Sequence, residues 1–246
     1  MNLIRTGAFP ILRQLYLEER LLRTSSNNWC LINDGTSHPN LVMGVSGIPV
    51  ELINIDLVLQ DQIPIIRRFT GGGTVIVDDG TIFVTFICNK DAIPGLQPYP
   101  RPIMSWTGQF YEKVFQGFAG FHLCENDYAF ENRKFGGNAL SITKNRWIHH
   151  TSFLWDYDGK NMEYLKIPKR APEFRLVWSF NFGFIEHLNG WFGICLHKAK
   201  VRILVNPKFR AELRLIPIGL EQAFPFEQFL LNFQNLTKLQ NSLWFD

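Results

Sequence analysis

The chain reads as an α+β protein with mixed, largely antiparallel sheets and flanking helices, and three observations predict this. Short runs rich in β-branched and aromatic residues recur along residues 29–157. Two longer stretches, 10–23 and 103–119, carry apolar residues at helical spacing instead. Clusters of Gly, Pro, Asn and Asp separate most of these segments, so strands and helices come in groups and not in a regular βαβ alternation.

Taken in order, Pro10 to Arg23 sets Ile11, Leu15 and Leu22 on one face, broadened by Leu12 and Tyr16, with Pro10 where a first helical turn tolerates it. Trp29–Ile32 and Leu41–Val45 read as strands around the turn-forming loop Asn33–Asn40. Ile63–Ile66 leads into Arg67 and a triple glycine. Thr74–Val77, a turn at Asp78–Gly80, and Ile82–Cys88 then predict a hairpin. A proline-rich loop, Pro94–Pro102, precedes the second helix, Ile103–Ala119, which carries Met104, Trp106, Phe110, Tyr111, Val114 and Phe118. Asn126–His150 mixes polar loop residues with Gly136 and Gly137, and Trp147–Tyr157 again favours strand. From Leu176 the texture changes: 10 of the 22 Phe fall in the last 71 residues, twice the density of the first 175, with no period of 3.6 or 2 to organise them.

With 246 residues, 46% hydrophobic and 19% charged, the chain is long and apolar enough to bury a substantial core. A formal charge of +3 is too weak for a dedicated nucleic-acid binder. Cys30, Cys88, Cys124 and Cys195 form no CxxC pair and no zinc or disulfide spacing, which points to a reducing compartment. No run of about 18 apolar residues predicts a membrane span, and no secretory leader is seen. Glu18 and Glu19 argue against an organelle presequence, so the expected compartment is the cytoplasm, with the mitochondrion as the alternative.

Three constellations can carry chemistry. In Arg67-Arg68-Phe69-Thr70-Gly71-Gly72-Gly73-Thr74-Val75, adjacent glycines let backbone N–H groups turn towards an anion, and two arginines add planar donors for phosphate or carboxylate. No Gly-Lys-Ser/Thr follows and no GxGxxG is present. The bland alternative is a hairpin turn with solvated arginines. The second constellation joins Asn126-Asp127-Tyr128 to Arg133-Lys134-Phe135-Gly136-Gly137-Asn138, where a lysine beside glycines can lay its ammonium against phosphate and carboxyl groups. Taken alone, Lys134 is an ordinary solvated lysine, and Asp127 suits either a magnesium ion or an Asx turn. In the third, His149 and His150 occupy successive strand positions, face opposite ways and cannot share one metal.

The ordered series LVMG (41–44), RRFTGGGTVIVDDG (67–80), IFVTF (82–86), ND (126–127), RKFGGNAL (133–140) and IHHTSFL (148–154) resembles the lipoate-protein ligase A family, over about residues 1–175 and ending at IPKRAPEFR (167–175). The resemblance implies a catalytic domain of the kind shared by class II aminoacyl-synthetases and biotin ligases. It also implies a two-step reaction in which lipoate and ATP-Mg²⁺ give lipoyl-adenylate, and the lipoyl group then passes to a lysine of an acceptor. Under it, Arg68, Gly71, Gly72, Gly73, Thr74, Val75 and Ile76 hold the nucleotide and adenylate, and Lys134 is the catalytic lysine. Asp127 helps to hold Mg²⁺, while Lys134, Gly72, Gly73, Val75 and His149 border the lipoyl group. The implied partners are lipoyl domains of 2-oxoacid dehydrogenase E2 subunits and the glycine cleavage H protein, with the ligase itself a monomer. Val45 and Gly47 stand where the family usually has a polar Arg and then Gln, and its HHGT is HHTS here. Residues 176–246 read as a divergent segment without a family counterpart.

An octanoyl or lipoyl transferase working without ATP is a rival on the same fold. Relatives that use a cysteine nucleophile carry it after the lysine motif, yet residues 135–194 contain no Cys. Biotin ligase is disfavoured because its Gly-Arg-rich loop ending in Trp is absent. A non-catalytic chain that binds lipoate or lipoyl domains is the remaining alternative.

Overall fold

A computed structural model describes residues 1–115, 120–131, 133–154, 156 and 158–166. The IPKRAPEFR motif and the Phe-rich segment lie outside the described residues. In chain order the elements are β1 (Asn2–Gly7), α1 (Ile11–Thr24), β2 (Trp29–Asp34), β3 (Asn40–Met43), α2 (Pro49–Leu52), α3 (Ile55–Gln60), β4 (Ile65–Arg67), β5 (Val75–Val77), β6 (Thr81–Asn89), α4 (Pro100–Val114), β7 (Phe121–Cys124), β8 (Asp127–Phe130), β9 (Arg133–Ile142), β10 (Arg146–Leu154) and α5 (Gly159–Met162).

Two sheets result. Seven strands run β1-β2-β6-β10-β9-β8-β7, antiparallel except for β1 beside β2, and a three-stranded sheet runs β4-β3-β5, with β4 parallel and β5 antiparallel to β3. The α+β expectation with a mixed, mostly antiparallel sheet therefore holds. Every position of β6 except its last is buried, because helices and the smaller sheet cover it from both sides.

One face of the large sheet packs on α4. Ile103, Phe110, Tyr111 and Val114 meet Phe86, Trp147, Phe153, Tyr128 and Phe135 there. Edge-on rings such as Tyr111 on Phe153, 4.9 Å between centroids, contribute roughly 0.5–1.5 kcal/mol beyond the burial itself. The opposite face takes α1, with Leu17 and Leu22 on Leu31, Ile87 and Ile148. Ile11, Leu15, Val42, Ile66, Val77 and Phe83 then wedge α1 and the small sheet against the large one.

Three local expectations change. Thr74–Val77 and Ile82–Cys88 do not form a hairpin: β5 pairs with β3 and β6 with β2 and β10. Asp78 enforces the switch, because its Oδ1 accepts from Gly80 N (3.0 Å) and Thr81 Oγ1 (3.2 Å) and its Oδ2 from Asn161 Nδ2 (2.8 Å), so the chain leaves one sheet and enters the other. Asp127–Phe130 and Arg133–Ile142 are strands, β8 and β9, and not loop. Gly136 sits opposite Phe153, where a Cβ would lie 2.9 Å from the Phe153 ring, so the missing side chain makes room for the core. Finally, the second helix begins at Pro100, whose absent N–H costs nothing in a first turn.

Candidate active site

The glycine loop after β4 is tied to β3 at its base, where Arg68 N donates to Met43 O (2.9 Å) and Val45 N to Thr70 O (3.0 Å). Arg67 reaches sideways, its Nη1 donating to Val45 O (2.9 Å) and Gly47 O (2.8 Å). Arg68 turns inward and is buried. Its Nη2 donates to Gly71 O (2.8 Å) and Gly73 O (2.7 Å), its Nη1 to Val42 O (3.2 Å) and its Nε to Thr70 Oγ1 (3.1 Å). Burial lowers its pKa to about 10, an effect the nearby Glu18 partly offsets, so the guanidinium is charged at neutral pH.

That orientation decides where the loop's donors go. In a trans peptide the C=O and the following N–H point in opposite directions, so drawing the Gly71 and Gly73 carbonyls onto Arg68 aims the Gly72 and Thr74 amides away from it. Neither amide has a protein acceptor among the described residues, and Gly72 and Gly73 are exposed. The result is a set of unspent donors backed by a buried cation, which suits an anion. Arg68 itself acts on the loop's carbonyls, and does not project from the loop as a separate anion ligand.

The loop docks on β9. A Cβ on Gly72, whose φ is +101°, would lie 3.3 Å from Asn138 O and 3.4 Å from Ala139 Cβ. Ala139 pairs with His150 and Gly137 with both Ser152 and Asp127, so these positions share the face that meets the loop. Lys134 joins them through an irregularity in the β8–β9 register between Tyr128 and Ala129. Its Nζ lies 3.1 Å from Asp127 Oδ1, and a Cβ built on Gly137 would be 3.6 Å from the same Nζ. The Lys134 side chain is 21% exposed and that of Asp127 4%, so a partly desolvated cation stands in reach of solvent on a buried carboxylate.

The remaining predicted residues are dispersed. Val75 lies in the ladder opposite Val42 and packs on the wedge between the sheets, and Ile76 is buried in the small sheet's outer core. Thr74 Oγ1 is buried without a partner among the described residues. His149 lies on the far face: its Nε2 is 3.1 Å from Met104 Sδ of α4, its Nδ1 has no partner among the described residues, and burial drives its pKa down to about 3. The structure does not bring it to the glycine loop. Its neighbour His150 is there instead, with Nε2 2.9 Å from Thr70 Oγ1 and Nδ1 3.0 Å from Glu18 Oε2.

His150, Thr70 and Glu18 are thus site residues that sequence reasoning missed. One signal was available. Ile11, Leu15, Glu18 and Leu22 share the apolar stripe of α1, and an acid on such a stripe needs buried partners.

Among the described residues no three His, Cys, Asp or Glu side chains gather as a metal site. Asp127 is a single carboxylate, which fits Mg²⁺ only where substrate phosphates and water complete the shell.

Residues 10–177, more than half of the chain, match the family described as the lipoyl protein ligase A/B catalytic domain. The chain belongs to that family. Curated relatives include a Plasmodium falciparum protein named inactive lipoate–protein ligase 2, 24% identical over 299 residues that cover 98% of this chain and 72% of that one. A Streptococcus pyogenes lipoate–protein ligase is 26% identical over 168 residues, 68% of this chain and 47% of that protein. The chain therefore spans under half of the bacterial relative. The Plasmodium match covers 98% of the chain, so the alignment runs past residue 175.

Solved structures share the ligase fold at low identity. The T. acidophilum protein Ta0514 with bound lipoic acid has a TM-score of 0.58 at 13% identity, covering 87% of this chain and 93% of that one. A lipoate-protein ligase A bound with ATP gives 0.54 at 15%, covering 87% and 93%. A bi-partite lipoate protein ligase described with its E2 lipoyl domain, from Thermoplasma acidophilum, gives 0.54 at 17%, covering 88% and 92%.

Proposed function

We propose that this chain is an ATP-dependent lipoate-protein ligase. It joins the lipoate carboxylate to the α-phosphate of ATP with release of pyrophosphate, and the acyl group then passes to a lysine amine of a lipoyl domain with release of AMP. The observation that carries the reading is the convergence on one sheet face of the unspent Gly72 and Thr74 amides with the Lys134 ammonium. Solved structures of this fold are described with bound lipoic acid, with bound ATP and with an E2 lipoyl domain, which supports these substrates.

In this reading the loop amides bind phosphate oxygens, and Lys134 offsets the charge that builds on the α-phosphate and carboxylate as they meet. The same ammonium then polarises the acyl carbonyl while the acceptor amine attacks. Asp127 orients Lys134 and would be the carboxylate that holds Mg²⁺ together with nucleotide phosphates and water, an ion that would supply positive charge against the phosphates. Val75, partly buried at the edge of the apolar wedge, is the apolar residue that borders the lipoyl tail in this reading. The acceptors are the lipoyl domains of 2-oxoacid dehydrogenase E2 subunits and the glycine cleavage H protein.

A second reading, a chain that binds lipoate or lipoyl domains without catalysis, is favoured by the Plasmodium relative, since that protein is named inactive. One experiment separates the readings. Purified protein is incubated with lipoate, Mg-ATP and an apo lipoyl domain, and the lipoyl adduct is sought by intact mass. The ligase reading expects an adduct that requires both ATP and Lys134, lost in Lys134→Ala. Adduct formed from an acyl carrier without ATP identifies a transferase. A folded protein that binds the lipoyl domain but forms no adduct identifies the non-catalytic form.

A further inference from the structure

The glycine loop is held from below by a chain of buried polar side chains. Glu18 on α1 is fully buried. Its Oε1 accepts from Gln14 Nε2 (2.8 Å) and Thr85 Oγ1 (2.6 Å), and its Oε2 lies 3.0 Å from His150 Nδ1. His150 Nε2 lies 2.9 Å from Thr70 Oγ1, which also accepts from Arg68 Nε (3.1 Å). Beyond Glu18 the chain continues through Gln14 Oε1 to Asn33 Nδ2 (2.9 Å), and Asn33 holds both the N–H and the C=O of Phe9. One line of hydrogen bonds thus joins the start of α1, the large sheet and the loop that bears the unspent amides.

We propose that Glu18 and His150 are positioning residues, acting through Thr70 to lock Arg68 and hence the direction of the Gly72 and Thr74 amides. The inference rests on the ligase reading for what the amides bind, but not for the lock itself. With Glu18 as acceptor, Nδ1 of His150 carries the hydrogen, and in the tautomer that carries it there alone Nε2 accepts from the Thr70 hydroxyl. That leaves a Thr70 lone pair for Arg68 Nε–H, so each link fixes the orientation of the next. The order acid, histidine, hydroxyl is also that of a nucleophilic triad. Thr70 has no exposed surface and its oxygen is bonded to the Arg68 guanidinium as well as to His150, so the arrangement holds a loop and does not present a nucleophile.

Thr70→Val removes the hydroxyl at nearly constant volume, and Thr70→Ser restores it. Two readouts on the full chain test the lock. Without ligand, hydrogen exchange at the Val45 and Arg68 amides, which bond to Thr70 O and Met43 O, rises about tenfold in Thr70→Val, stays near the parent value in Thr70→Ser, and is unchanged for α4 in both. With Mg-ATP, the dissociation constant by calorimetry rises about tenfold in Thr70→Val and recovers in Thr70→Ser; where turnover is measurable, the change falls on the KM for ATP and leaves kcat within about twofold. His150→Gln and Glu18→Gln reproduce the exchange result at the same two amides. Equal exchange in the parent and Thr70→Val overturns the proposal, as does faster exchange spread evenly to α4. If the parent binds no Mg-ATP, the ligase reading fails, while the ligand-free exchange still decides the lock.

Discussion

On the proposed ligase reading Lys134 has two tasks that different substitutions separate. It pairs with Asp127 in the fold, and it would supply a compact ammonium between a phosphate and a carbonyl. Lys134→Ala removes both, and with the partner carboxylate only 4% exposed it costs about 1–3 kcal/mol of stability as well as the lipoyl adduct. Lys134→Arg keeps the charge on Asp127 but replaces a point-like donor with a planar fork. Its melting temperature is expected to stay near that of the parent while the adduct falls at least about a hundredfold. If Lys134→Arg kept full activity, Lys134 would serve only as a structural cation. The lysine motif and the glycine triplet were readable because each is contiguous. Glu18, Thr70 and His150 were not, since their bonds join positions 80 and 132 residues apart. Strand alternation tells that His149 and His150 face opposite ways, but which one faces the loop depends on where α1 and α4 pack.

At the scale of elements, the glycine loop works because β3 and β4 run side by side and allow backbone to pass against backbone. A Cβ on Gly44 would lie 2.2 Å from Gly72 O, whereas a Cβ on Gly71 would meet nothing within 4 Å. Gly44→Ala is therefore expected to push the loop off β3, at a cost of about 1–3 kcal/mol and with loss of Mg-ATP binding, while Gly71→Ala leaves stability within about 0.5 kcal/mol. Thermal melts and calorimetry of the two variants check this, and equal behaviour would mean that the close approach is not required. The run LVMG at 41–44 shows a strand followed by glycine, yet nothing local says what passes over that glycine. The mistaken hairpin has the same origin. Two β-like runs around Asp78–Gly80 are readable, but the choice of sheet is made by Asn161, 83 residues further on, and by β3. The two long helices, α1 and α4, and the strands β2 to β6 and β10 were legible from local pattern; β7 to β9 and the short α2, α3 and α5 went unread. The strand β1 was not legible either, because it is held beside β2 by pairing and has a single buried apolar position.

Across the whole described molecule, the large sheet separates a site face from a purely structural one, and the two histidines report on opposite sides of that division. His149, under α4, is fully buried with only Met104 Sδ against its Nε2, and burial together with the neighbouring His150 lowers its pKa from 6.5 to about 3. Between those values the unfolded chain binds a proton at this ring that the folded chain refuses. Stability therefore rises with pH through the window and falls as pH drops from about 6.5 towards about 3, by roughly 1.4 kcal/mol per pH unit where the difference is complete. Above about 6.5 the ring is neutral in both states and contributes no slope. Titrating carboxylates share the same acid limb, so the informative quantity is a difference between variants. His149→Leu removes the group while keeping an apolar side chain against Met104, and its unfolding free energy from pH 7 to pH 4 is expected to fall less steeply than that of the parent by about that slope. Urea melts at half-unit pH intervals measure it. Parallel curves for parent and variant would show that the ring is protonated in the fold, which would require α4 to part from β10 near Met104 and would undo the division of the sheet into two faces.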